Sequence, residues 1–357
     1  MTMDFGLSTD RADLVDWARG LAARAGGLDH VRGLRTDPAP AATSYRALGA
    51  AGLLGLGLGS GDQLDRALAC EQLGAELLWT PQFDSAICTG ELLAATEGGD
   101  VPAGLPDGSW IVAAPLHALA HPVELPPADT AGPDVVVRSP WLPIATHVAV
   151  AVWLPPDRHE GDLAVVLVPR AEWTARPAGS YVDHLPVHET RLPAATLLDR
   201  GRVIDHGDVA AALDVATSRT LTAVAAFAVG AARRALETAA RYATDRVQFG
   251  RPIGSFQAQQ HKLADALLHV RQAEQLVRAA AVRTDPAAHR LASAAAARLA
   301  LKALRQAAYT ASIVHGGYGL TLEFDVHLYF VYAQILDGCY GRLASQRLAE
   351  ESRREAS

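Results

Sequence analysis

From about Asp205 to the end, the chain is dominated by long segments rich in alanine and leucine. Their apolar residues recur at helical spacing: Val209 to about Ala243, Gln257 to Thr284, Ala287 to about Val314, and a further segment from about Asp325. Long amphipathic segments joined by short connections hide their apolar faces most simply against one another, which predicts a four-helix bundle. The rest of the chain has a different texture. Between about Ser8 and Ala95 the pattern is helical but shorter. Ser8-Thr9-Asp10 forms an N-cap signal before Arg11 to Ala25, with Leu14, Trp17, Ala18 and Leu21 on one face. Tyr45 to Leu54 and Leu64 to Leu78 read as two more helices, punctuated by glycines around Gly55 to Gly61. From about Gly108 to Arg200 prolines are frequent and short β-favouring runs appear: Trp110 to Ala113, Asp134 to Val137, His147 to Trp153 and Leu163 to Val168. The turn residues Pro155-Pro156-Asp157 and His159-Glu160-Gly161-Asp162 bound them, which suggests a small barrel or sandwich. The expected fold is therefore α+β and multidomain: an N-terminal helical domain over 1–105, a middle β-barrel or sandwich over 106–204, and a C-terminal four-helix bundle over 205–357.

Charge and cysteine usage narrow the function classes. A formal net charge of −7 with no basic patch or tail argues against a nucleic-acid partner. Cys70, Cys88 and Cys339 are odd in number and far apart, so neither a disulfide framework nor a metal site is expected. No basic region followed by an apolar core stands at the N-terminus, and the apolar run Ala50 to Leu58 is too short and glycine-rich to span a bilayer. The expectation is a cytoplasmic protein without a membrane partner.

Two motifs flank the bundle helices. The first, Arg246-Val247-Gln248-Phe249-Gly250-Arg251-Pro252-Ile253-Gly254-Ser255-Phe256-Gln257, lies between two long helical segments. Arg246 can bridge phosphate oxygens as a bidentate donor. Gln248 and Gln257 can add amide hydrogen bonds, and Gly250 permits a positive φ or a close backbone approach. Read alone, this is either a site for a large, flat, phosphate-bearing ligand or an ordinary helix–helix loop broken by Pro252 and Gly254. The second motif, Val314-His315-Gly316-Gly317-Tyr318-Gly319 followed by Leu320-Thr321-Leu322-Glu323, reads as a helix stop whose glycines also let backbone approach a ligand.

Together these residues resemble the acyl-CoA dehydrogenase family of flavoproteins. Its pattern R-x-x-F-G-x-P-[IL]-x-x-F-Q is matched at every position by Arg246 to Gln257, and Gln260-His261-Lys262-Leu263-Ala264-Asp265, Ala235-Leu236-Glu237 and Tyr242 are similar too. The stretch HGGYGLTLEFDVHLY resembles the short bacterial branch acting on steroid side chains and other unusual acyl groups. The resemblance covers nearly the whole chain, including an N-terminal Met3-Asp4-Phe5, and is specific in the last third. It implies FAD as cofactor. Arg246 and Gln248 would contact its pyrophosphate, with Phe249 beside the adenine end and Gln257 near the same ligand. Gly250 belongs to the same cradle, and Gly316, Gly317 and Gly319 would admit FAD from a neighbouring subunit. A dimer, or a tetramer built from dimers, is thereby implied, with an acyl-CoA or acyl-carrier-protein substrate and an electron-transfer flavoprotein as acceptor.

The chain also departs from the family. The flavin-facing T-E-P-x-x-G-S-D segment is replaced by Ala113 to Ala120, where only Pro115 survives. The W-I-T-N-A run becomes Ser139 to Ala145, where Trp141 keeps an aromatic near the flavin. The reaction needs a partly desolvated carboxylate beside the α carbon of the thioester. Aligned on Gly341, the usual glutamate position holds Tyr340; the alternative position, counted back from Gly250, falls near Thr220. Asp337, about one helical turn before Tyr340, is the nearest carboxylate and either points into the same pocket or faces solvent. Glu323 and Asp325 read as structural or capping residues and His327 as a packing residue, while Val331-Tyr332 replace two basic residues of the branch. Three functions follow: a dehydrogenase of an unusual acyl thioester with a non-standard base, a base-less subunit of a heteromeric dehydrogenase, or the same fold put to other flavin chemistry such as oxygenation, or to a flavin-free scaffold.

Overall fold

The structure, a computed structural model, describes residues 7–59, 61–96, 100–127, 132–155, 162–181, 184–321 and 324–356. Met3-Asp4-Phe5, the expected turns across 156–161, and Leu322 and Glu323 lie outside the described residues.

The N-terminal part comprises α1 (Thr9–Arg24), α2 (Gly27–Gly33), α3 (Ala39–Ala50) and α4 (Gln63–Ala75), then a π-helical turn over Phe83–Thr89 that runs into α5 (Gly90–Thr96). Asp62 caps α4 by accepting from the Leu64 amide at 2.8 Å. Ser8 sits at the N-cap of α1 without a side-chain bond, so the expected cap is not made there. The helix expected over Tyr45–Leu54 lies earlier, because Gly52 turns at φ 84° and ends α3. The π-helical turn and the start of α5 escape sequence periodicity because their residues from Phe83 to Leu93 are all buried.

The middle part holds β1 (Val112–Ala113), α6 (Leu116–Leu119), β2 (Val123–Glu124), β3 (Val135–Ser139), β4 (His147–Trp153), β5 (Leu163–Pro169), β6 (Arg176–Tyr181), β7 (Leu185–Leu192), α7 (Leu197–Arg200) and β8 (Arg202–Ile204). β1 and β2 both pair parallel to β4, which continues antiparallel to β5 and then β8; β3, β7 and β6 form a second, antiparallel sheet. The β4–β5 pair is buried along five consecutive positions of each strand, which explains its near-continuous valine and alanine run. β6 and β7 alternate polar with apolar residues more weakly and are not evident in the sequence.

The bundle consists of α8 (Val209–Asp245), α9 (Gln257–Ala281), α10 (Pro286–His315) and α11 (Val326–Leu336), which a second π-helical turn at Asp337–Gly341 joins to α12 (Arg342–Ala356). Asp208 and Asp285 cap α8 and α10 through the amides of Ala211 and Ala288. α8 is long and apolar enough to cross a bilayer, but 89% of its most apolar stretch is buried within the protein. It ties the parts together. At its crossing with α4, a Cβ on Gly74 would stand 1.9 Å from the Phe227 carbonyl oxygen, and one on Gly230 would stand 1.8 Å from that of Glu71. Only glycine at both positions lets the two backbones touch. Beside this crossing Glu91 of α5 is fully buried and pairs with Arg66 of α4 at 2.5 Å and with Arg219 of α8.

Candidate functional site

The first motif folds as a β-hairpin. Val247-Gln248 (β9) pairs antiparallel with Arg251-Pro252 (β10), and the two residues at the tip have positive φ, 53° at Phe249 and 79° at Gly250. That is the type I′ geometry of two-residue hairpins, which suits glycine and disfavours phenylalanine. Phe249 is nevertheless held there, 94% exposed, with its edge toward Phe256 at 6.3 Å. Arg251 lies over the Phe256 ring at 4.1 Å. Arg246 is exposed, and no hydrogen bond or ion pair reaches its guanidinium among the described residues. Gln248 is exposed and donates only to its neighbour's carbonyl, and Gln257 opens α9 with its side chain in solvent. The hairpin thus presents a cation, amides and a bare aromatic ring outward.

The second motif stands next to it. Tyr242, four residues before Arg246, stacks on His315 at 4.3 Å and meets Phe324 edge-on, and Phe324 also contacts Tyr318. Here the glycines divide. Gly316 turns the end of α10 at φ 62°, and a Cβ added to Gly316 or Gly317 would meet nothing within 4 Å. A Cβ on Gly319 would stand 2.4 Å from the Ser312 carbonyl oxygen. Gly319 is therefore glycine because the chain folds back on α10, and the expectation that it makes room for a ligand is corrected. Space above Gly250, Gly316 and Gly317, with an unpaired arginine and an exposed aromatic beside them, fits a dinucleotide's diphosphate and adenine.

The remaining candidates lie inside. Trp141 is 1% exposed and packs edge-on against Trp79 at 5.3 Å. It borders a narrow cavity of about 20 Å³, room for one water-sized group, together with Tyr340, Cys339, Pro115, Arg138 and Asp84. Neither the hairpin nor the glycine turn contributes to this lining. Tyr340 is 3% exposed and meets Phe83 edge-on at 6.0 Å. Thr220 is fully buried, and its hydroxyl donates to the Ala216 carbonyl at 2.7 Å. Asp337 does not line the cavity; its carboxylate accepts from Arg298 at 2.8 Å and packs against Gly341, so the reading that it points into the pocket of Tyr340 is corrected. Asp325 pairs with Arg32, and His327 makes only a local contact with the Phe324 carbonyl at 2.7 Å.

Sequence reasoning missed Asp84. It lies on the first π-helical turn and is 6% exposed. No hydrogen bond or ion pair reaches its carboxylate among the described residues, and desolvation pushes it up to about 8. The larger cavity of about 370 Å³ between α1, α4, α8 and α9 is lined by paired charges such as Glu76 with Arg234 and Glu71 with Arg233. Among the described residues no His, Cys, Asp or Glu side chains gather into a metal-binding group, and all three cysteines are free thiols.

The family profile described as "Acyl-CoA dehydrogenase, C-terminal domain" matches residues 211–349, which include both motifs. The acyl-CoA dehydrogenase IpdE2 of Mycobacterium tuberculosis is 45% identical over 108 residues, 30% of this chain and 32% of its own length. The chain thus matches about a third of that curated relative. The ChsE4-ChsE5 complex from Mycobacterium tuberculosis superimposes with a TM-score of 0.80 at 24% identity, covering 99% of each chain. PigA, solved with FAD and proline, superimposes with a TM-score of 0.78 at 19% identity, covering 98% of this chain and 99% of that one. These superpositions show a shared fold along the whole length, and the sequence match falls on the helices that carry the hairpin and the glycine turn. Residues 211–349 thus match an acyl-CoA dehydrogenase C-terminal domain, within a chain that shares its fold with these solved structures along its whole length.

Proposed function

We propose that the chain is an FAD-dependent oxidoreductase that introduces an α,β double bond into an unusual acyl thioester carried by CoA or a carrier protein. The observation that carries this reading is the outward hairpin: an unpaired Arg246 and a 94% exposed Phe249 beside glycines with open space above them. The exposed ring is apolar surface that a ligand or another subunit would cover, and the uncommitted guanidinium beside it is free to meet an anion. In this reading Arg246 neutralises the FAD diphosphate, Gln248 and Gln257 hydrogen-bond it, and Phe249 lies beside the adenine. Gly250, Gly316 and Gly317 admit the cofactor, while Trp141 keeps water from the buried end. Bound FAD supplies a two-electron acceptor for the hydride leaving the β carbon, and an electron-transferring flavoprotein is the proposed next acceptor.

Large apolar side chains exposed on the hairpin, α9, α10 and the glycine turn, among them Leu268, Tyr309 and Tyr318, support a dimer or a tetramer of dimers. A second reading is favoured by one observation: neither Tyr340 nor Thr220 is a carboxylate. The chain would then lend half of each flavin site to a similar partner that holds the base, an arrangement in keeping with the two-chain ChsE4-ChsE5 complex among its structural neighbours. An absorption spectrum of the purified chain, alone and mixed with a second chain of similar length, tests both. A flavin band in the chain alone supports the self-sufficient enzyme, and a band only in the mixture supports the heteromer. A colourless protein in both cases overturns flavin chemistry altogether.

A further inference from the structure

We propose that Asp84, supplied by the N-terminal helices rather than the bundle, is the catalytic base that takes the α proton of an acyl thioester whose α carbon enters the water-sized cavity bordered by Tyr340 and Trp141. The inference rests on the dehydrogenase reading above.

The two positions from which the resemblance would draw a carboxylate are filled by buried groups unsuited to the task, a phenol at Tyr340 and a hydroxyl at Thr220 committed to its own helix. The turn Phe83–Thr89 lies between them. Phe83 meets Tyr340 edge-on at 6.0 Å, and Cys88 faces Thr220. Asp84 projects from the same turn into the cavity that Tyr340 lines. The turn is π-helical, as is Asp337–Gly341, which carries Tyr340. Such widened turns concentrate at functional sites because they re-aim side chains that a regular helix would point elsewhere.

A carboxylate 6% exposed with no partner is expensive to keep. Arg138 borders the same cavity but is committed to Glu189 on the protein surface, at 3.1 Å. Tyr45 and Cys88 also face Asp84, and burial raises both, so neither is charged near neutral pH. Burial lowers His117, the remaining titratable neighbour beside Cys339 and Tyr340. Nothing around Asp84 therefore compensates its charge, and its shift to about 8 has desolvation as its sole cause. A carboxylate so raised is a stronger base than an exposed one, which is what abstraction of a weakly acidic C–H proton requires.

In the step itself the α C–H bond breaks and its proton passes to an Asp84 carboxylate oxygen. The electron pair left behind forms the α,β double bond as the β hydrogen departs with its own pair, as hydride, to the flavin. With the flavin already reduced, no hydride can leave; the pair stays as the thioester enolate, and the carbon regains a hydrogen from Asp84.

The last situation gives the test. The full chain, loaded with FAD and reduced with dithionite, is incubated in heavy water with butyryl-, octanoyl- and phenylpropionyl-CoA, and deuterium in the acyl group is read by mass spectrometry. Wild type should exchange at least one thioester at a rate that rises with pH through the region of 8. Asp84→Asn should exchange about 100-fold more slowly or less, and Asp84→Glu should recover part of the rate. A second readout needs no flavin: in protein labelled with ¹³C at aspartate carboxyls, one resonance should titrate near 8 and be missing from Asp84→Asn. Undiminished exchange by Asp84→Asn overturns the proposal, as does loss of exchange in His117→Gln alone. A yellow wild-type chain that exchanges none of the thioesters also overturns it and leaves the base to a partner subunit. A chain that binds no FAD fails the dehydrogenase reading itself.

Discussion

The hairpin end of the bundle and the cavity beneath Trp141 are built on opposite principles. The hairpin exposes what a monomer would hide, a phenylalanine held at positive φ and 94% in solvent, beside an uncommitted guanidinium. The cavity hides what a monomer would expose: an unpartnered carboxylate walled by Trp141 and Tyr340. The bare ring and the buried carboxylate are each unfavourable in an isolated chain, one because apolar surface meets water and the other because a charge is kept from it. A surface that wants a cover and a buried charge that wants a proton are each resolved by a bound molecule. They differ in what a mutation should do. Changes in the cavity should alter the stability of the chain itself, and changes on the hairpin should alter only what binds it.

The largest effect expected from that contrast is a pH dependence. Asp84 is raised from 3.8 in the unfolded chain to about 8 in the folded one. Its contribution is therefore fully present below the unfolded value, declines as pH rises between the two, and is lost above about 8. Asp84→Asn removes the titration. The variant should match wild type in acid and exceed it increasingly toward alkaline pH, by several kcal/mol in order of magnitude once Asp84 is charged. Denaturant unfolding of both proteins across that range measures it. Equal pH profiles would mean that the carboxylate is solvated and that water reaches the narrow cavity freely.

The contrast also explains what was legible in the sequence. The bundle was readable because its helices are long and one-sided, and the ends of α8, α9 and α10 fall close to the residues expected. The hairpin was readable because it concentrates special residues in twelve consecutive positions. The cavity was not. It brings together residues from the turn after α4, the start of α6, the end of β3 and the turn after α11, which lie far apart in the chain. Asp84 lies in a stretch buried on all sides, which has no periodicity to mark it, and its chemistry comes from the absence of neighbours, which no local pattern encodes. Asp337 misled for the converse reason: helical spacing from Tyr340 is real, but the π-helical turn rotates the carboxylate onto Arg298.

Next in size is the buried Glu91–Arg66 pair. Glu91→Ala leaves Arg66, 5% exposed at its side chain, with no carboxylate opposite it. Removing one partner of a buried pair costs about 3–5 kcal/mol, so the variant should unfold at markedly lower denaturant or fail to accumulate. Glu91→Ala accompanied by Arg66→Met should recover part of the loss, because the stranded charge is gone. An Arg66 tolerant of the single change would show that water reaches this interior.

On the hairpin the expectation reverses. If Arg246 meets the FAD diphosphate as proposed, Arg246→Ala should weaken flavin binding by about 1.5–3 kcal/mol, roughly 10–150-fold, read by fluorescence titration. Its effect on flavin-free stability should stay within about 0.5 kcal/mol, since the exposed side chain has no partner to lose. A change of stability without a change of affinity would make the hairpin an ordinary connection.

The finest discrimination lies within the glycine turn, where neighbouring glycines have opposite reasons to be glycine. Gly319→Ala drives a Cβ to 2.4 Å from the Ser312 carbonyl, a backbone atom that cannot swing aside. It should destabilise the flavin-free chain by about 1–3 kcal/mol through overpacking. Gly317→Ala meets nothing within 4 Å and is not held at positive φ, so the flavin-free chain should change by less than about 0.5 kcal/mol. Any loss in Gly317→Ala should appear only on adding FAD or on forming the oligomer, where a methyl group enters the space the cofactor or second subunit needs. Measured together, thermal unfolding of the flavin-free proteins and flavin titration separate the two outcomes. If Gly317→Ala bound FAD as tightly as wild type, the open space above the turn would not be the cofactor's, and the cradle would shrink to the hairpin alone.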